Sequence, residues 1–256
     1  MNTQQIIQRD NDYVAHTYAR FPVALTSGKG ARCWDAEGKE YIDFSSGIGV
    51  DAVGFADDGW AAAVSGQLNK LQHMSNLFYT EPCGALAKTL CERTGMKKVF
   101  FSNSGAESNE GAIKCARKYG HSHHGANCHN IVTLEQSFHG RTLATLTATG
   151  QDAFHTHFNP FPEGFRYAPP NDIAALAGFI DDTVCAVMIE LVQGESGVIP
   201  LDREYVNHVW SVCRERDILL IVDEVQSGIG RTGTLFAFQQ FGIAPDALAF
   251  KTAFTL

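Results

Sequence analysis

The chain has 256 residues, 45% apolar and 19% charged, enough to bury a sizeable core in one large or two small domains. Twenty lysines and arginines against 28 acids leave a formal charge of −8, the opposite of the basic surface that a nucleic-acid backbone selects. The first ten residues are polar, no apolar run approaches bilayer length, and the seven cysteines are odd in number without a C-x-x-C pair. Neither secretion nor membrane insertion is expected, and the cysteines read as reduced thiols of a cytoplasmic protein.

Between Pro22 and Phe44, short alternating runs broken by Gly28, Gly30 and the Asp35–Gly38 turn predict a small antiparallel meander. From about Asp58 the rhythm changes. Apolar runs at 99–101, 131–134, 184–189, 218–222 and 247–250 alternate with helical stretches, the pattern of a mostly parallel sheet covered on both faces. In the stretch 202–215, Tyr205, Val206, Val209, Trp210 and Cys213 share one helical face. A helix is expected from the cluster 102–110 toward Tyr119. His121, His123, His124 and His129 after it, with Cys128, fit no zinc spacing and read as a surface loop. The stretch 151–171, with four prolines, reads as the least ordered. The division expected is an N-terminal segment, 1–57, of a helix plus the meander, followed by a large domain, 58–256.

In an open α/β sheet, ligands collect beyond the carboxyl ends of the strands, and four clusters stand there. Ser102 to Glu110 follows the run 99–101 and opens a helix, whose unpaired N–H groups and small residues suit an anionic phosphate; Ser104 and Glu107 also fit an ordinary capping box. Phe138-His139-Gly140-Arg141-Thr142 offers an aromatic face for a planar ring and a guanidinium for a carboxylate, or else a core phenylalanine and a solvated arginine. Glu190 to Gly197 carries two acids, Glu190 and Glu195, able to orient an arginine or simply to line a turn. Asp223 ends the run 218–222, where a desolvated carboxylate calls for a cation; a protonated pyridine nitrogen fits, and a metal reading lacks further ligands at usable spacing. Together these are the parts needed to hold pyridoxal phosphate and an amino acid. A dinucleotide fingerprint is absent, since no G-x-G-x-x-G follows an early strand.

The chain resembles the class III pyridoxal-phosphate aminotransferases. The likeness begins at Tyr18-Ala19-Arg20-Phe21-Pro22-Val23, continues through Trp34-Asp35, Gly38 to Phe44, Gly47 to Val50 and Ser75 to Tyr79, and is completed by the four clusters. It implies a fold type I transferase, with a mostly parallel sheet flanked by helices and an N-terminal piece of a small α+β domain. It also implies that Ser104, Gly105 and Ala106 hold the phosphate, that Phe138 and Val225 flank the ring, that Asp223 pairs with its nitrogen and that Gln226 reaches its hydroxyl. Arg141 would bind the substrate α-carboxylate, with Glu190 and Glu195 as acidic neighbours. The reaction implied is transamination of N-acetylornithine with 2-oxoglutarate in a cytoplasmic homodimer, with Asn76 to Tyr79 at the neighbouring site. Ornithine, succinylornithine and 4-aminobutyrate are the alternative donors.

The likeness fails after Asp246. The family's reactive lysine stands six positions after that aspartate, where this chain has Thr252; Lys251, one residue early, is the candidate for the Schiff-base lysine. Residues 252–256 do not match the family's glycine-rich continuation, and the remaining strands and most of the small domain are expected to be missing. The C-terminus therefore reads as incomplete, and a catalytically inactive fragment is the other alternative.

Overall fold

Asn2 starts the first helix by accepting the Gln5 N–H at 2.9 Å, while the Gln5 side chain takes the Asn2 N–H. In the computed structural model, which describes residues 1–251 and 253–255, that helix is α1 (Thr3–Tyr13). The chain falls into two compact units, Met1–Tyr79 and Thr80–Leu256. In the first, the expected meander forms from β1 (Leu25–Lys29), β2 (Arg32–Asp35) and β3 (Glu40–Ile42), paired antiparallel in that order. Asp35 closes the second turn, its Oδ1 accepting the N–H groups of Glu37 and Lys39. A short turn, α2 (Ser46–Gly49), holds Gly47 and Ile48 in left-handed geometry, and Asp57 caps α3 (Asp58–Leu68) by accepting the Trp60 N–H. Only Ala24 and Cys33 are buried in this unit, and Phe21, Phe44, Leu77 and Tyr79 are among its exposed apolar side chains.

The second unit alternates helix and strand as the apolar runs predict. It contains α4 (Glu81–Thr94), β4 (Val99–Phe101), α5 (Gly105–His124), β5 (Asn130–Leu134), α6 (Leu143–Ala148), β6 (Phe165–Ala168) and α7 (Ile173–Leu176). There follow β7 (Val184–Ile189), the small hairpin β8 (Val192–Gln193) and β9 (Ile199–Pro200), α8 (Arg203–Arg216), β10 (Leu219–Asp223), β11 (Ala247–Phe250) and β12 (Ala253–Thr255). Seven of these strands form one sheet in the order β4-β12-β11-β10-β7-β5-β6. It is parallel except at β12, which runs antiparallel to both neighbours.

Strand alternation divides the core into two layers. Val132, Leu134, Val187, Ile189, Leu220, Val222 and Leu248 pack on one side with Tyr205, Val206, Val209 and Cys213 of α8. Ile131, Ala186, Met188, Ile221, Ala247 and Ala249 pack on the other with Ala112, Ile113 and Ala116 of α5. All six residues of β7 are buried, which explains why its sequence is continuously apolar.

Two expectations are corrected here. The proline-rich stretch contains β6, paired in parallel with β5 from Ile131↔Phe165 to Leu134↔Ala168. The histidine run is not a loop, because α5 continues to His124. A β-carbon on Gly120 would lie 2.3 Å from the Cys128 carbonyl oxygen and 2.5 Å from Cys185 Cβ, so this glycine marks close helix packing and not a helix end. The residues after Phe250 add one strand, β12, between β4 and β11. Position 252 itself, where the resemblance puts the reactive lysine, lies outside the described residues.

Candidate active site

Continuing the α5-facing alternation of β7 and β10 by two residues leads from Met188 to Glu190 and from Ile221 to Asp223. Two carboxylates thus emerge at the carboxyl ends of neighbouring strands, both almost wholly buried. They line a cavity of about 270 Å³ together with Gly105, Ala106, Asn109, Phe138, His139, Gly140, Arg141, Val225 and Gln226. The sites read from the four clusters therefore meet in one place.

Burial next to Asp223 pushes the Glu190 carboxyl well above the usual carboxylate range, although Glu190 Oε2 accepts the Phe138 N–H at 2.9 Å. Asp223 is held by three donors. Asn109 Nδ2 and His139 Nδ1 reach Oδ2 at 2.7 and 2.8 Å, and the Val225 N–H reaches Oδ1 at 2.9 Å. The next residue, Glu224, turns away from the cavity: it accepts the Ala237 and Phe238 N–H groups and the Ser227 hydroxyl, fixing the loop that follows Val225 and Gln226. Burial raises its pKa against the pull of those bonds.

The walls approach too closely for larger residues. A β-carbon on Gly105 would sit 2.6 Å from Val225 Cγ1, and one on Gly140 would sit 2.8 Å from Ala106 Cβ. Gly194 abuts Gln226, whose Oε1 would be 2.2 Å from an added β-carbon. Glycine at 194 thus gives Gln226 its room. Arg141 lies at the open side, its guanidinium carbon 6.0 Å from the Phe138 ring centre and 5.7 Å from that of Phe154.

Three of the residues assigned from sequence are not part of the lining. Ser104 is the N-cap of α5, its hydroxyl accepting the Glu107 N–H at 3.2 Å, so the capping role is realised. Glu195 is exposed in the turn between β8 and β9. Lys251 sits in the connection from β11 to β12, and no lysine lines the cavity among the described residues. Conversely, Asn109 and His139 received no role from sequence. Asn109 is one helical turn beyond Gly105, a spacing that puts both on one face of α5, and this was the available signal.

The family profile described as Aminotransferase class-III matches residues 13–255. The chain belongs to the class III aminotransferases. Among curated relatives, the acetylornithine aminotransferase of Haemophilus ducreyi is 54% identical over 247 residues, 96% of this chain and 63% of that protein. Among solved structures, the ornithine aminotransferase from Toxoplasma gondii superposes with a TM-score of 0.95 at 30% identity, covering 99% of this chain and 63% of that one. The N-acetylornithine aminotransferase from Stenotrophomonas maltophilia gives 0.82 at 36% identity, covering 97% and 64%. This class III chain therefore spans a little under two thirds of the proteins it matches, and its sheet is the fold type I sheet of pyridoxal-phosphate aminotransferases.

The lining fits that coenzyme. A helix N-terminus of small residues and a buried carboxylate share one cavity with Phe138 and Val225, and two buried polar atoms of the lining, Asn109 Oδ1 and His139 Nε2, have no partner.

Proposed function

We propose that this chain carries the coenzyme site of an aminotransferase that moves the amino group of N-acetylornithine to 2-oxoglutarate. The observation supporting it most directly is that Asp223 and the start of α5 at Gly105 and Ala106 line the same cavity. Pyridoxal phosphate, when bound, supplies an electron sink for the carbanion left by removal of the substrate Cα proton. The N–H groups of Gly105 and Ala106 hold the phosphate at the positive end of a 20-residue helix. Ser104 serves them by capping that helix. Phe138 and Val225 flank the ring, Gln226 reaches its hydroxyl, and Asp223 faces its nitrogen and favours the protonated form. Arg141 binds the substrate α-carboxylate with its planar guanidinium, while Glu190 and Glu195 supply acidic neighbours.

Lys251 is the candidate to hold the coenzyme covalently and to move the proton. Its support is local: the carbonyl of Phe250 accepts the Ser108 hydroxyl at 3.2 Å, which ties the turn containing Lys251 to the first turn of α5. The absence of any lysine from the described lining favours a second reading, in which the chain binds the coenzyme without turnover. Titrating the chain with pyridoxal phosphate, reducing with borohydride and mapping the labelled peptide separates the two. A label on Lys251 supports catalysis; binding without a label supports the inert fragment; no visible absorbance refutes both.

N-acetylornithine is favoured by the 54% identity to the Haemophilus ducreyi acetylornithine aminotransferase and, among solved structures, by 36% identity to an N-acetylornithine aminotransferase against 30% to the Toxoplasma gondii ornithine aminotransferase. Initial rates with N-acetylornithine, ornithine, succinylornithine and 4-aminobutyrate test it, and a preference for any of the last three overturns the choice. The location proposed is the cytoplasm; among the described residues no helix is long and apolar enough to cross a membrane. The assembly proposed is a homodimer, supported by the exposure of Leu77, Phe78 and Tyr79 in the segment that resemblance puts at a neighbouring site.

A further inference from the structure

We infer that His139 is a positioning residue which, with Asn109, fills one oxygen of Asp223 and leaves the other as the acceptor that meets the coenzyme ring nitrogen. The inference rests on the pyridoxal-phosphate reading of the cavity. An ionised carboxylate oxygen has two lone-pair positions. Oδ2 of Asp223 uses both, on Asn109 Nδ2 at 2.7 Å and His139 Nδ1 at 2.8 Å. Oδ1 uses one, on the Val225 N–H at 2.9 Å. The single remaining acceptor position of this buried carboxylate therefore belongs to Oδ1.

His139 is built to hold that arrangement. Its side chain is fully buried, its N–H donates to Thr149 Oγ1 at 3.0 Å, and its carbonyl accepts Asn109 Nδ2 at 2.8 Å. One Asn109 amide thus grips both members of the pair. Behind them Gly140, at φ +138°, lets the loop lie against α5, where any side chain would press on Ala106.

The hydrogen on Nδ1 follows from its partner, because a carboxylate only accepts. Nε2 is buried without a partner, so a hydrogen placed there would be an unpaired donor out of water. The charged and titratable groups facing the pair are Glu190 and Arg141, which line the same cavity, and Glu224, the next residue along, whose carboxylate turns to the Ala237 and Phe238 N–H groups.

Nitrogen-15 NMR of the histidine rings in the full chain without coenzyme, assigned by comparison with His139→Asn, tests the tautomer directly. A ring with hydrogen on Nδ1 and a bare Nε2 is expected; hydrogen on Nε2, or an averaged pair, overturns the inference whatever the chain binds. Coenzyme affinity tests the positioning. His139→Asn keeps an N–H near the Nδ1 position and is expected to bind pyridoxal phosphate close to the wild-type strength, whereas His139→Phe loses about tenfold to a hundredfold. The ring-nitrogen signal of nitrogen-15-labelled coenzyme is expected to show protonation in the wild type and His139→Asn. Equal affinity and equal protonation in His139→Phe would refute the role. Failure of the wild-type chain to bind the coenzyme would instead refute the functional reading, with the NMR result still deciding the state of His139.

Discussion

Gly105→Ala separates the cavity from the fold in a single methyl group. The new β-carbon would lie 2.6 Å from Val225 Cγ1 and 2.8 Å from Cγ2, whereas carbon contacts relax at about 3.5–4.0 Å, so Val225 must move by roughly 1 Å. Such overpacking costs about 1–3 kcal/mol. Gly105 is outside the left-handed region, so alanine brings no backbone strain and gains up to about 1 kcal/mol of helix propensity. The expected net loss of stability therefore lies between about 0 and 3 kcal/mol. Val225 also lines the cavity of about 270 Å³, and its displacement narrows the slot facing Phe138. Pyridoxal phosphate is expected to bind about tenfold to a hundredfold more weakly, equivalent to about 1.4–2.8 kcal/mol. An absorbance or fluorescence titration of the coenzyme, paired with urea unfolding of the coenzyme-free variant, reads the two effects independently. Binding within about twofold of the wild type at unchanged stability would refute the claim that Gly105 and Val225 together shape a coenzyme cradle.

Other perturbations probe different layers. Gly120→Ala should cost about 2–3 kcal/mol in urea unfolding, since the rigid Cys128 carbonyl at 2.3 Å outweighs the helix-propensity gain; a stabilised variant would show that α5 does not pack closely there. Glu190 has a raised folded pKa, so folding takes up a proton and its contribution to stability falls as pH rises from the unfolded value near 4.5 through the folded one. Glu190→Gln should therefore shrink the difference in urea midpoint between pH 5.5 and pH 8, and an unchanged difference would place the proton uptake elsewhere. Arg141→Lys should raise the KM for the amino donor about tenfold or more while leaving coenzyme affinity unaltered, because ammonium cannot match a carboxylate bidentately; a parallel loss of coenzyme binding would move Arg141 out of the substrate role.

Much of the site was legible because its residues end strands whose apolar runs stand out. Asp223 and Glu190 are charges placed directly after buried strands, and their convergence follows from β7 and β10 being neighbours. What escaped depended on partners distant in sequence. Strand β6 includes Arg166, which looks unsuitable for a sheet until its guanidinium is seen to donate to the Phe179 carbonyl and the Thr183 hydroxyl. His139 and Asn109 matter only through Asp223, 84 and 114 positions away along the chain. The run after Tyr119 read as a loop because the reason for Gly120 within α5 lies on Cys128 and Cys185.

Strand β4 enters the sheet only through β12, where Phe101 pairs with Ala253. Closing that pair spans about 150 residues, a costly loop to form early in folding. Because β4 leads directly into the turn that opens α5, the end of the cavity lined by Gly105 and Ala106 should be among the last parts to set. Coenzyme added during refolding should accordingly act late, trapping molecules whose sheet has already closed and doing little to hasten the closure itself.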